Sequence, residues 1–100
     1  MEGGVAVRDP IDYGLEHGLE LVKFFGLEPP EPDGLEELRS RIVLTLEKVD
    51  AHPGAAALFA ENILLSDVAR RRAGEAPLDE DERRHYAEGL AELWLCIFHP

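Results

Sequence analysis

The sequence predicts an all-α fold, one compact domain of four helices arranged as an up-down bundle or a close variant of one. Three observations carry that prediction. Apolar residues recur every three or four positions in four separate stretches, which places them on one face of a helix. No stretch shows the strict alternation of a half-buried strand. Proline, glycine and acidic capping residues break the chain between periods, leaving turns short enough for neighbouring helices to pack. The 100 residues suit one domain with a core of modest margin, spanning 1–100. Apolar residues at 45% and charged residues at 31% give a globular rather than a disordered balance.

Residues 1–10, MEGGVAVRDP, carry no helical period and read as an irregular N-terminal arm. The first helix is expected near 11–26, with Ile11, Leu15, Leu19, Val22 and Phe25 in one stripe and Leu21 beside it. Gly26 and the prolines of LEPPEPDG stop it, and that linker should be stiff and wet. The second helix is expected near 34–50. Asp33 is placed to cap it while Glu36 reaches back, a capping box with Asp in the place of Ser or Thr. Leu35, Leu38, Ile42, Leu46 and Val49 form its stripe, and Leu44 points the other way.

The third helix, near 54–73, opens after Pro53 and is apolar around almost its whole circumference, from Ala56 through Phe59 and Leu64 to Val68. Such a helix belongs at the centre of a fold, and its alanines let neighbours approach closely. The fourth, near 79–98, opens on a second capping box, Asp79 with Glu82.

Charge narrows the partners. A net charge of −11 opposes binding to nucleic acid or anionic lipid, both of which need Lys and Arg to neutralise phosphate. It fits a basic protein partner. The one basic cluster, Arg70-Arg71-Arg72, falls in the last turn of the third helix, where cations complement the helix dipole. No apolar run of about 18 residues occurs, so no membrane span is expected. No charged n-region leads into an apolar h-region, so no secretory leader is read. The single cysteine, Cys96, excludes an internal disulfide and suits the reducing cytoplasm. Glutamine is absent, Asn62 is the only asparagine, and Glu and Arg abound, a bias that thermophile proteins share.

Chemistry has one suggestive line. On the fourth helix His85, Glu88, Glu92, Cys96 and His99 fall within an arc of about 80°, and Glu82 lies one turn before His85. His85, Glu88 and Glu92 are the metal-ligand candidates. A di-iron carboxylate bundle needs Glu-x-x-His on two helices and a Glu from each of two more. Here the motif occurs once, so a solvated face is favoured and no metal or cofactor is assigned. Glu61 and Asn62 interrupt the most apolar helix. A buried carboxylate needs a partner or a proton. The choices are water, an arginine such as Arg39 or Arg41, or a ligand in an interhelical pocket. Ser40, Thr45 and Ser66 have no histidine at helical spacing, and the helical neighbours of Cys96 are carboxylates rather than the cations a nucleophilic thiol needs. No catalytic residue is assigned. Cys96 itself reads as a small hydrophobe of the core or of an interface.

The other face of the fourth helix is a solid apolar band. Leu44, Leu95 and Phe24 are left over on outer faces, while Tyr13, His17 and Phe24 share the outer side of the first helix with Glu20. That is more apolar surface than one small bundle covers, and such a surplus marks an interface. Leu93, Trp94, Leu95, Ile97 and Phe98 are the interface candidates of a homodimer or higher symmetric assembly. The expected function is a non-enzymatic, acidic protein–protein interaction or regulatory module. The alternative is a ligand- or metal-binding bundle or an enzyme, using Glu61 with His85, Glu88 or Glu92.

Overall fold

The computed structural model describes residues 9–98, among which there are four α-helices and no strand. The helices are α1 (Pro10–Phe24), α2 (Pro32–Glu47), α3 (Pro53–Ala73) and α4 (Glu80–Phe98). The irregular arm expected over 1–10 lies outside the described residues except for Asp9 and Pro10, which cap and open α1. No helix among the described residues is long and apolar enough to cross a membrane.

Helices α1, α2 and α3 each begin on a proline, whose missing N–H costs nothing in a first turn and whose φ is already helical. Asp9 caps α1 by accepting from the Ile11 amide at 2.9 Å. His52 caps α3 through Nδ1, which accepts from the Gly54 amide at 3.2 Å. The capping box of α4 forms in both directions. The Glu82 amide donates to Asp79 at 2.8 Å, and the Asp79 amide donates to Glu82 at 3.2 Å. The box expected at Asp33 and Glu36 does not form. Pro32 starts α2 earlier, Glu31 becomes the cap without a side-chain bond, and Asp33 lies inside the first turn. There it complements the dipole instead.

Two glycines in the left-handed region end α1 and α3, Gly26 at φ 68° and Gly74 at φ 75°. Each is followed by a backbone bond back into the helix, Leu27 to Val22 at 2.9 Å and Glu75 to Arg70 at 2.8 Å, a closing loop that a Cβ would strain. These motifs stop α1 at Phe24, so Phe25 falls outside the helix and is exposed rather than part of the buried stripe.

One core joins Ile11, Leu15 and Val22 of α1 with Leu38 and Ile42 of α2, Phe59, Ala60, Ile63, Leu64 and Val68 of α3, and Ala87 of α4. Helix α3 is central, as its all-round apolar surface requires. It packs most extensively on α1 and also meets α4 and α2, whereas α1 and α4 make no close approach. The order around the bundle is therefore α1, α3, α4, α2. The described body measures 40 × 36 × 23 Å, and the short dimension matches two helices of about 10–12 Å each.

The α1–α3 contact is close because of Gly14 and Gly18, one turn apart. A Cβ on Gly14 would overlap the Ala57 carbonyl, and one on Gly18 would lie 2.9 Å from Leu64 Cδ2 and 3.4 Å from the Glu61 carbonyl oxygen. Backbone thus meets backbone along one side of α3. The other side of the bundle is tied by ions. Arg39 of α2 bridges to Asp12 at 2.5 Å and to Asp9 at 3.2 Å at the start of α1, and Lys48 pairs with Glu80 at the start of α4.

Candidate functional site

The polar pair that interrupts α3 has a structural explanation. Glu61 takes a hydrogen bond from His17 Nδ1 at 2.7 Å, joining α3 to α1. Its partner is thus a histidine, and the arginines weighed from sequence are engaged elsewhere, Arg39 with Asp12 and Arg41 with Glu37. The bond to Glu61 and its negative charge together raise the His17 pKa above its ordinary 6.5, with Glu20 adding to the effect. Asn62 donates to the Leu58 carbonyl at 2.7 Å, and its own carbonyl lies 3.4 Å from the Tyr86 hydroxyl of α4. The neighbouring polar residues of α3 therefore reach in opposite directions, one to each flanking helix.

The His and Glu line of α4 stays dispersed. His85, Glu88, Glu92 and Cys96 are all exposed, and among the described residues no three His, Cys, Asp or Glu side chains gather as a metal ion needs. His85 turns back on its own helix, with Nδ1 2.9 Å from the Asp81 carbonyl oxygen, and Glu82 is spent in the capping box. His99 lies outside the described residues. Glu61 is bonded to His17 instead.

The apolar band behaves differently along its length. Near its start Ala87 is buried while Tyr86 is 39% exposed. Toward the end it projects. Leu93 is 54% exposed, Ile97 59% and Phe98 56%, and Leu95, on the opposite side of the helix, is 49% exposed. Trp94 alone is drawn inward. Its indole stacks on His52 at 4.8 Å between ring centres and packs on Phe98 at 4.3 Å. Gly54 lies directly beneath the indole, and a Cβ there would enter the ring. The His52-Pro53-Gly54 turn thus serves twice, capping α3 and seating the only tryptophan. Phe24 and Leu44 are exposed, as expected from their outer positions.

A second constellation was not read from the sequence. Two adjoining clefts open where the α1–α2 linker, the start of α2, the end of α3 and the start of α4 meet. The smaller, of about 220 Å³, is bounded by Gly34, Glu37, Arg41, Asp67, Arg71 and Arg83 among others. The larger, of about 660 Å³, shares Gly34 and Arg71 and adds Leu27, Val68 and Arg72. In a chain of net charge −11, four arginines meet at one end of the bundle. Arg41 pairs with Glu37 at 2.9 Å and Arg71 with Asp67 at 3.3 Å. Among the described residues Arg83 has no such partner within reach of an ion pair. It is 5% exposed, its Nη1 donates to the Leu78 carbonyl at 2.5 Å, and Nε, shut off from solvent, finds no acceptor among the described residues. Burial lowers its pKa, and the nearby charge of Arg41 lowers it further. The sequence hint was an arginine in the first turn of a helix, where the dipole disfavours a cation.

No protein-family model, no curated protein and no solved structure matches the chain.

Proposed function

We propose that this protein is a small helical interaction module that pairs with a second copy of itself through the projecting end of α4 and presents its acidic remainder to a basic partner. The observation that carries this reading is the band Leu93, Ile97 and Phe98, each more than half exposed toward the end of α4, with Leu95 half exposed on the opposite side. A helix that only closed a bundle would cover such a band. Removing large apolar side chains from water is worth about 1.5–3 kcal/mol for each one fully buried, and a cluster of them is what association needs. Trp94, held over Gly54 and stacked on His52, fixes the angle at which the band stands out. A pre-set surface loses less entropy on binding.

The net charge sets opposite signatures for the two associations. Two copies repel at long range, so added salt strengthens an apolar self-contact, whereas capture of a basic partner weakens with salt. Light scattering coupled to size-exclusion chromatography reads the first. Wild type is expected as a dimer at tens of micromolar, and the pair of substitutions Leu93→Glu and Ile97→Glu is expected to give a monomer with unchanged helical circular dichroism. A wild type that stays monomeric across concentration and salt overturns the reading. The sequence-based alternative, a ligand site using Glu61 with His85, Glu88 or Glu92, has no geometry in its favour, since Glu61 faces His17.

A further inference from the structure

The geometry points to the arginine cleft as a binding site for a small oxyanion, the phosphate or carboxylate head of an organic ligand, gripped by Arg83 with Arg41 and Arg71 beside it. This is a different site from the α4 surface, and neither proposal depends on the other.

Arg83 is the reason. A guanidinium that is 95% buried, going by its 5% exposure, ordinarily has a carboxylate against it. The nearby carboxylates are engaged. Asp67 bonds Arg71, while Asp79 and Glu82 hold the capping box of α4. With Nη1 occupied by Leu78 and Nε itself shut off from solvent, the guanidinium meets an anion in the cleft through its remaining nitrogen, Nη2. Such a charge-assisted N–H bond to an oxyanion is shorter and stronger than a neutral one. The remaining positive charges are arranged around the same space. Arg41 is close enough for its charge to act on Arg83, and Arg71 lines both clefts. Gly34 belongs to the first turn of α2, whose cap makes no side-chain bond and whose amides lie at the positive end of the helix dipole.

Among the charged groups that line the small cleft, Arg41, Arg71 and Arg83 stand against Glu37 and Asp67, an excess of one positive charge at its wall, while Asp79 and Glu82 act on Arg83 from beside it. One anionic group neutralises that excess. The volume of about 220 Å³ accommodates such a group with a few waters, at about 30 Å³ for each water. The adjoining space of about 660 Å³, with Leu27, Pro29 and Val68 in its wall and Glu28, Glu31 and Arg72 among its charged groups, accepts the neutral body of the ligand.

The test uses the full chain and inorganic phosphate as the probe, with a carboxylate such as benzoate as the second arm, each against sodium chloride of matched ionic strength. Phosphate should raise the melting temperature of wild type beyond the chloride control and should move the Gly34 amide and Arg83 guanidinium signals in an NMR titration. Arg83→Met keeps the stem and removes the charge. It should weaken binding about tenfold or more, the loss of a charge-assisted hydrogen bond. Should Arg83→Met not fold, Arg71→Gln, at an exposed position lining both clefts, reads the same loss. A benzoate response stronger than the phosphate one assigns the carboxylate head. If neither anion shifts the melting temperature beyond chloride, or if the variants keep the full response, the site does not exist, and Arg83 only anchors the Leu78 loop.

Discussion

Replacing Gly14 with alanine isolates the close contact on which the α1–α3 pairing rests. At an exposed helix interior, alanine is more stable than glycine by about 0.5–1 kcal/mol. Gly89 provides that reference, since nothing lies within 4 Å of the Cβ it would gain. At Gly14 the added Cβ meets the Ala57 carbonyl, which is backbone and cannot rotate away, so α1 must lift or slide. Overpacking of this kind costs about 1–3 kcal/mol, and lifting α1 also loosens Leu15 and Val22 in the core. With the helix gain subtracted, Gly14→Ala should lose about 1–2 kcal/mol, or roughly 5–15 °C of melting temperature for a chain this size. Gly18→Ala should fall between the two, within about 1 kcal/mol of wild type, because its obstacle is the flexible end of Leu64. Urea unfolding of the three variants, followed by circular dichroism at one dilute concentration, should rank Gly89→Ala above wild type and Gly14→Ala last. A Gly14→Ala protein as stable as Gly89→Ala would refute the contact.

The remaining expectations concern the other junctions. Because the His17 pKa is raised in the folded state, its bond to Glu61 contributes fully below pH 6.5 and fades as pH rises through the raised value. Glu61→Gln should therefore cost more stability near pH ~6 than near pH ~9 and bring the His17 titration back toward 6.5; a pH-independent cost would remove the pair from the account. Asp79→Ala should cost about 1 kcal/mol as a lost cap, while Asp33→Ala, inside the first turn of α2, should cost no more than a dipole contact, about 0.3–1 kcal/mol. Equal and large losses at both would place the start of α2 wrongly. Gly54→Ala should expel Trp94 from its seat on His52, reported by red-shifted emission of the single tryptophan, with helix content retained; an unshifted spectrum would count against the stack.

The helices and the central role of α3 were legible in the sequence because periodicity and capping are local. Asp79 and Glu82 need only a turn of chain to find each other, and an apolar circumference has one stable location. The start of α2 was misread where two local signals competed, and Pro32 prevailed over Asp33 because a fixed φ acts before a side chain can cap. The glycines at 14 and 18 were visible too. Two glycines a turn apart inside a helix cost stability unless another backbone approaches them, a sign of close packing that apolar periodicity does not carry. The exposed ends of the α4 band were anticipated as surplus, since apolar area on every face exceeds what four short helices bury.

Only the tertiary structure decided the polar partnerships. His17 and Glu61 are 44 residues apart, and nothing in their spacing pairs them until α1 lies along α3. Arg83 became a buried cation because the start of α4 tucks under the end of α3, a matter of packing order that helix periodicity does not encode. By itself, the sequence determined four helices, which of them is central, and a net charge of −11. The fold alone decided which charges meet and which is left without a counter-ion, because electrostatic partners are chosen by distance in space, and that distance exists only once the helices have packed.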